Sequence, residues 1–203
     1  AVGPRPDSEA GGMVSLRTVR SRRAILEAAV RVLVVDRGAS MREISEAAGV
    51  GRATLHRYFP GRDDLIRALV IDVLAECEAA IGSARTEEGT AAEALSRLVE
   101  ALVPIGERFH FLLYEDYFES DPDVAAADAR ILRTVDVLIE RGRRDGTFRP
   151  EAPVAWIGDA LEALLYAAWE GVRDGKIARR DAPGLVVSTL LSGLGESEAV
   201  REG

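Results

Sequence analysis

Two histidines, a single cysteine and a dense run of arginines are the side chains of this 203-residue chain whose chemistry narrows its function most. His110 follows Glu107 by three residues, a spacing that places two metal ligands on one helix face in di-iron helical proteins. Such a centre needs a second histidine from another helix, and the remaining one, His56, sits inside the arginine-rich segment, so no metal is expected. Cys77 has no partner for an internal disulfide, and the apolar helical pattern around it suits a buried thiol. With so few nucleophile and base candidates, no nucleophile-elbow motif and no glycine-rich phosphate loop, hydrolytic triads and nucleotide chemistry are unsupported. Catalysis would have to rest on carboxylates such as Glu115, Asp116, Asp159 and Glu162, which equally suit a solvated edge or a pocket for a cation. No catalytic residue and no cofactor are expected, and the chain reads as a binding protein.

The arginines point to the partner. The formal net charge is -8, but residues 1–67 carry a balance of +4 and residues 68–203 one of -12. Between residues 17 and 62 stand ten arginines and only four acids, Glu27, Asp36, Glu43 and Glu46. That is an electrostatic footprint for phosphate on an otherwise acidic protein. No run of about 18 apolar residues occurs and none opens the chain, so neither a membrane span nor a secretory signal is expected. The cytoplasm is the expected compartment.

The elements that must position this charge are helical. Residues 1–16, rich in glycine and small polar groups near the start, are expected to be disordered. Ile25, Ala28, Ala29, Val32 and Leu33 follow helical spacing up to Gly38. Ser40 then stands three residues before Glu43, a capping box that opens a short helix through Ala48. Gly49 falls where a left-handed turn residue is wanted, a third helix runs from Gly51 to Phe59, and Pro60-Gly61 stops it. Ile44, Ala48, Val50, Leu55 and Tyr58 have the spacings of two short helices packed around a small core, which is a helix-turn-helix. Its second helix would turn Arg52, Ala53, Thr54, His56 and Arg57 outward. This head is expected over residues 17–67, and residues 68–203 form a helical body.

In the body, Arg62 to about residue 82 reads as a long helix with Asp63 and Asp64 at its positive end. A further helix starts at Ala91, and Pro104 should kink it or start a new one. Asp121-Pro122 caps a helix that ends at Asp145-Gly146, and two more follow from Val154 and from Ala182. The expected class is all-α, with about nine helices and no sheet. The last two helices are apolar on more than one face, through Trp156, Ile157, Leu161, Leu164, Trp169, Leu185, Val186 and Leu190 among others. Terminal helices of that kind obtain burial against a second copy, so a two-fold dimer is expected.

The run from Ser40 to Leu65, SMREISEAAGVGRATLHRYFPGRDDL, resembles the DNA-binding signature of the tetracycline-repressor (TetR) family. The resemblance spans residues 21 to about 70 and rests on the Ala-Gly-Val turn, the Thr-Leu and Tyr-Phe pairs and the basic residue before the next helix. It implies a homodimeric regulator of transcription, most readily a repressor, whose body holds a small-molecule pocket; an activator shares the same scaffold. It implies phosphate contacts from Ser40, Thr54, His56, Tyr58 and Arg62, and base contacts from Arg42, Arg52 and Ala53, with Arg57 a further candidate. His56 stands where the family usually has tyrosine, Tyr58 where it has histidine or tyrosine, Gly51 where serine commonly caps and Arg62 where lysine is usual. Because imidazole titrates near neutrality, operator affinity is expected to rise below neutral pH and to lose that dependence in His56→Gln. The family's pocket lies among central helices, which singles out Phe109, His110, Tyr114 and Trp156, with Tyr166, as ligand-binding candidates. The competing reading is a small-molecule-binding or catalytic helical bundle that binds no operator, in which Arg52→Ala and Thr54→Ala would be silent.

Overall fold

The structure, a computed structural model, describes residues 7–109 and 121–195, with side chains over residues 20–106 and 121–195. Eight helices span them: α1 (Asp7–Val35), α2 (Met41–Ala47), α3 (Arg52–Tyr58), α4 (Arg62–Ser83), α5 (Ala91–Phe109), α6 (Pro122–Asp145), α7 (Val154–Arg173) and α8 (Ala182–Leu194). Among the described residues the only extended pairing is an isolated bridge between Phe148 and Gly195. The all-α class holds, with eight helices described where about nine were expected. None of these helices is long and apolar enough to cross a membrane.

The chain divides into two compact units, one ending at Leu69 and the other starting at Val70. In the first, α2 packs on α1 and on α3, and Ile25, Leu33, Ile44, Leu55, Leu65 and Leu69 are its largest fully buried side chains. Helices as short as α2 and α3 are unstable alone, so this shared core holds them. In the second, α5 is the hub: α6, α7 and α8 all pack on it, and Ala91, Ala94, Leu95, Leu98, Val99 and Val103 are buried. The α6–α7 connection is locked by Phe148, fully buried against Gly142, where a Cβ would fall 2.5 Å from its ring. Arg149 N–H donates to Leu194 O at 3.0 Å and fastens this connection to the end of α8.

Residues 7–16, expected to be disordered, are helical and continue α1 toward the N-terminus. Once a helix is nucleated each further residue adds a backbone hydrogen bond. Pro104 lies inside α5, so of the two outcomes expected there the start of a new helix is excluded. Its ring removes the donor that Glu100 O would use, but Glu100 and Pro104 are both exposed and water can supply the bond.

Candidate functional site

The helix-turn-helix forms as its local signals require. Ser40 Oγ accepts from Glu43 N–H at 3.3 Å, while Glu43 Oε2 accepts from Ser40 N–H at 2.7 Å and from its hydroxyl at 2.6 Å. The Ser40 hydroxyl and amide hold the Glu43 carboxyl below its ordinary value. At the other end of α2, Gly49 N–H donates to Glu46 O and Val50 N–H to Ser45 O, with Gly49 at φ 65°. A Cβ at Gly49 would meet nothing within 4 Å, so a side chain there costs only backbone strain. Gly49→Ala is therefore expected to destabilise the head by roughly 1–2 kcal/mol, read as a lowered urea midpoint; an unchanged midpoint would show that the turn tolerates a Cβ.

The second helix, α3, buries Leu55 and leaves Arg52, Ala53 and Arg57 exposed, with Thr54, His56 and Tyr58 half-buried. Arg57 lies over the Tyr58 ring at 5.2 Å, and Arg22 of α1 lies over Phe59 at 5.5 Å, closing α1 against the end of α3. Gly51 caps α3 without a side-chain hydrogen bond, as its departure from serine led one to expect. Arg42 makes one long ion pair with Glu46 at 3.8 Å, both side chains largely in solvent, and such a pair restrains it little. His56 Nδ1 lies 3.0 Å from Pro60 O. A carbonyl can only accept, so Nδ1 carries the proton and Nε2 of the neutral ring has a lone pair and no hydrogen to offer a phosphate. Arg62 has its guanidinium turned inward onto backbone carbonyls of the α1–α2 turn.

A second cluster lies in the body. Asp128 of α6, Asp159 and Glu162 of α7, and Cys77 of α4 are close enough to perturb one another. Burial pushes the Asp128 carboxyl up from 3.8. Burial, then the negative Asp128 and Asp159, push Glu162 up from 4.5, and the Tyr166 hydroxyl works the other way by donating to it. Cys77 is driven up to about 11 by burial and by the carboxylates of Glu76 and Asp128, so it is an inert thiol at neutral pH. Tyr166 meets Trp169 edge to face, ring centroids 5.4 Å apart at 73°, and the indole lies against Gly106 of α5. Among the described residues the buried Trp169 Nε1 has no hydrogen-bond partner.

Of the expected ligand-binding residues, Tyr166 belongs to this cluster. Trp156 is 59% exposed in the first turn of α7. The Phe109 side chain, His110 and Tyr114, with Glu107, Glu115 and Asp116, lie outside the described residues. A groove of about 380 Å³ opens between the C-terminal half of α4 and α6, spanned by the 2.7 Å pair of Glu78 and Arg130, and none of the expected residues lines it. Sequence reasoning missed Asp128, Cys77 and Trp169 as one group. Their only signal is an acid among alanines at 125–129, which acquires meaning once α4, α6 and α7 are assembled.

Comparison with known proteins bears on the helix-turn-helix and on the chain as a whole. Residues 25–69 match the family described as bacterial regulatory proteins, tetR family. The chain is 39% identical over 176 residues to the HTH-type transcriptional repressor LfrR of Mycolicibacterium smegmatis, covering 86% of this chain and 90% of LfrR. It is 28% identical over 169 residues to the HTH-type transcriptional regulator NfxB of Pseudomonas aeruginosa, covering 81% and 90%. The crystal structure of LfrR from Mycobacterium smegmatis in complex with proflavine superposes with a TM-score of 0.74 at 35% identity, covering 86% of this chain and 97% of that one.

Proposed function

Because the chain belongs to the tetR family of bacterial regulatory proteins and is a DNA-binding transcriptional regulator, we propose that it is a homodimeric repressor released from a near-palindromic operator by a planar aromatic cation. The observation that carries the DNA-binding half is α3 itself, with Leu55 locked into the core and Arg52, Ala53 and Arg57 turned to solvent. In the major groove these three and Arg42 read base edges, while Thr54, His56 and Tyr58 hold phosphates; Ser40, whose amide and hydroxyl hydrogens both go to Glu43, caps α2 instead. The dimer forms through α7 and α8, which pack on each other and still expose Trp156 at 59% and Leu185 at 47%. Two heads then meet half-sites about 34–36 Å apart.

With Nδ1 donating to Pro60 O, only Nε2 of His56 is left for a phosphate. Operator affinity unchanged in His56→Gln would exclude His56 as a phosphate ligand.

The effector half rests on the relative that binds proflavine, a cationic acridine, and on the half-covered carboxylates beside Tyr166. Negative groups with raised pKa values are costly to charge in the empty body, and a bound cation offsets that cost. Lowering the pH neutralises Asp128 and Glu162 earlier than ordinary carboxylates, so cation affinity falls on acidification. Asp128→Asn is expected to weaken proflavine binding about tenfold, the scale of one charge-assisted contact, and to flatten that pH profile. Equal affinity in both proteins at every pH would remove the carboxylate from the site. α4 runs from Arg62 in the first unit to Ser83 in the second, and a shift of this helix would change the separation of the two α3 helices. Release is a population shift between the two arrangements.

The test is selection of the purified protein on a random-duplex library, then titration of the enriched sequence at two salt concentrations with and without proflavine. An enriched inverted repeat with a steep salt slope, released by proflavine, is expected. Binding indifferent to sequence would favour the helical bundle without an operator. Operator binding without a proflavine response would leave the regulator and remove the cation.

A further inference from the structure

Arg62, the first residue of α4, donates from Nη1 to Ala39 O at 2.6 Å and from Nη2 to Arg37 O. Both acceptors lie in the turn between α1 and α2, and Ala39 is buried. The partners are 23 and 25 residues away in sequence, and everything between Ala39 and Arg62 is the helix-turn-helix with its recognition helix. One guanidinium therefore closes the ends of the reading segment onto each other. Short-range bonds also hold the turn, Ala39 N–H to Asp36 O at 3.1 Å and Gly38 N–H to Asp36 Oδ1 at 2.8 Å. A planar fork suits two neighbouring carbonyls, whereas an ammonium is a compact, strongly hydrated point charge.

We propose that Arg62 is a positioning residue that sets α3 by fastening the start of α4 to the α1–α2 turn, and does not act as a phosphate ligand. The clasp makes any displacement of α4 a displacement of the segment that reads DNA. The inference rests on operator binding and is independent of the effector's identity.

A phosphate ligand and a clasp leave different marks on DNA binding. Removing a phosphate contact weakens all duplexes alike and lowers the slope of log K against log salt by about 0.9 per contact. Loosening a clasp misplaces the base-reading side chains, so operator affinity falls while non-specific affinity and the salt slope remain. Full-length Arg62→Gln and Arg62→Lys are titrated with the library-enriched duplex and with a scrambled duplex of equal length across a salt series. In both variants operator affinity is expected to fall about 10- to 100-fold, the scale of a lost charge-assisted bond. Scrambled-duplex affinity should stay within about threefold, with an unchanged slope. Amide exchange is followed alongside, with faster exchange expected in residues 36–48 and none of that change in residues 25–33. Should Arg62→Gln lose helical signal, Arg62→Lys carries the same comparison. Parallel weakening on both duplexes with a reduced slope in Arg62→Gln, rescued by Arg62→Lys, would overturn the proposal in favour of phosphate contact. Operator binding unaffected by either substitution would overturn it as well.

Discussion

Leu55→Ala is expected to abolish measurable operator binding and to leave the body folded. Leu55 is fully buried at the centre of the head, where Ile25, Ile44 and Leu65 are buried with it. Truncating such a leucine costs roughly 2–5 kcal/mol, through lost transfer free energy and the cavity left behind. The head has little reserve against this, because a unit that ends at Leu69 buries a small share of its surface. α2 and α3 have seven residues each, too few to persist as helices without that core. The base contacts proposed for exposed residues such as Arg52 would each contribute about 1–3 kcal/mol to discrimination, so the core substitution is the larger lesion. Amide protection in residues 41–58 should be lost while residues 94–103 keep theirs, in parallel with operator titration. Operator affinity within about threefold of the parent would mean that the head re-packs around the cavity.

Gly106→Ala is expected to destabilise the body by about 1–3 kcal/mol, although alanine is the better helix former. A Cβ at Gly106 would fall 1.8, 2.0 and 2.3 Å from three indole carbons of Trp169. The indole is rigid and its Nε1 is buried, so it has to move as a body, taking with it the edge-to-face contact with Tyr166. Tyr166 donates to Glu162, and the disturbance therefore reaches the carboxylates proposed to receive the effector. In a Trp156→Phe background Trp169 is the only emitter, and its emission should shift to the red as the melting temperature drops. A raised melting temperature with unshifted emission would show that the indole yields cheaply and that helix propensity wins.

Cys77, by contrast, offers no handle at neutral pH. With its thiol pushed up to about 11, it stays protonated there, and the cluster's ionic character comes from its carboxylates.

What could be read in the sequence is what is decided within a few residues. Ser40 and Glu43 cap α2 because three residues of helix bring the two side chains together, and Asp121 caps α6 in the same local way. Gly49 and Gly146 are left-handed because each stands at the C-terminal end of a helix, where the chain turns and a residue without a Cβ meets no steric penalty. Leu55 faces inward and Ala53 and Arg57 outward because two residues of helix turn about 200°. These local rules place the reading head and its sequence signature, and from them the regulator follows.

Tertiary structure alone decided the remainder, because the interactions concerned join residues far apart in sequence. Nothing near Arg62 announces that its acceptors lie 23 and 25 residues back, so the sequence allowed a phosphate ligand where the fold makes a clasp. Asp128 is one acid among alanines until α4 and α7 bring Cys77 and Glu162 beside it, and only burial there raises its pKa. Trp156 and Trp169 have the same side chain on one helix, yet one is exposed and the other lies against Gly106, a distinction set by which face α5 covers. Helical periodicity says that two faces differ; which neighbour covers each face is determined by packing, and packing is a property of the assembled helices.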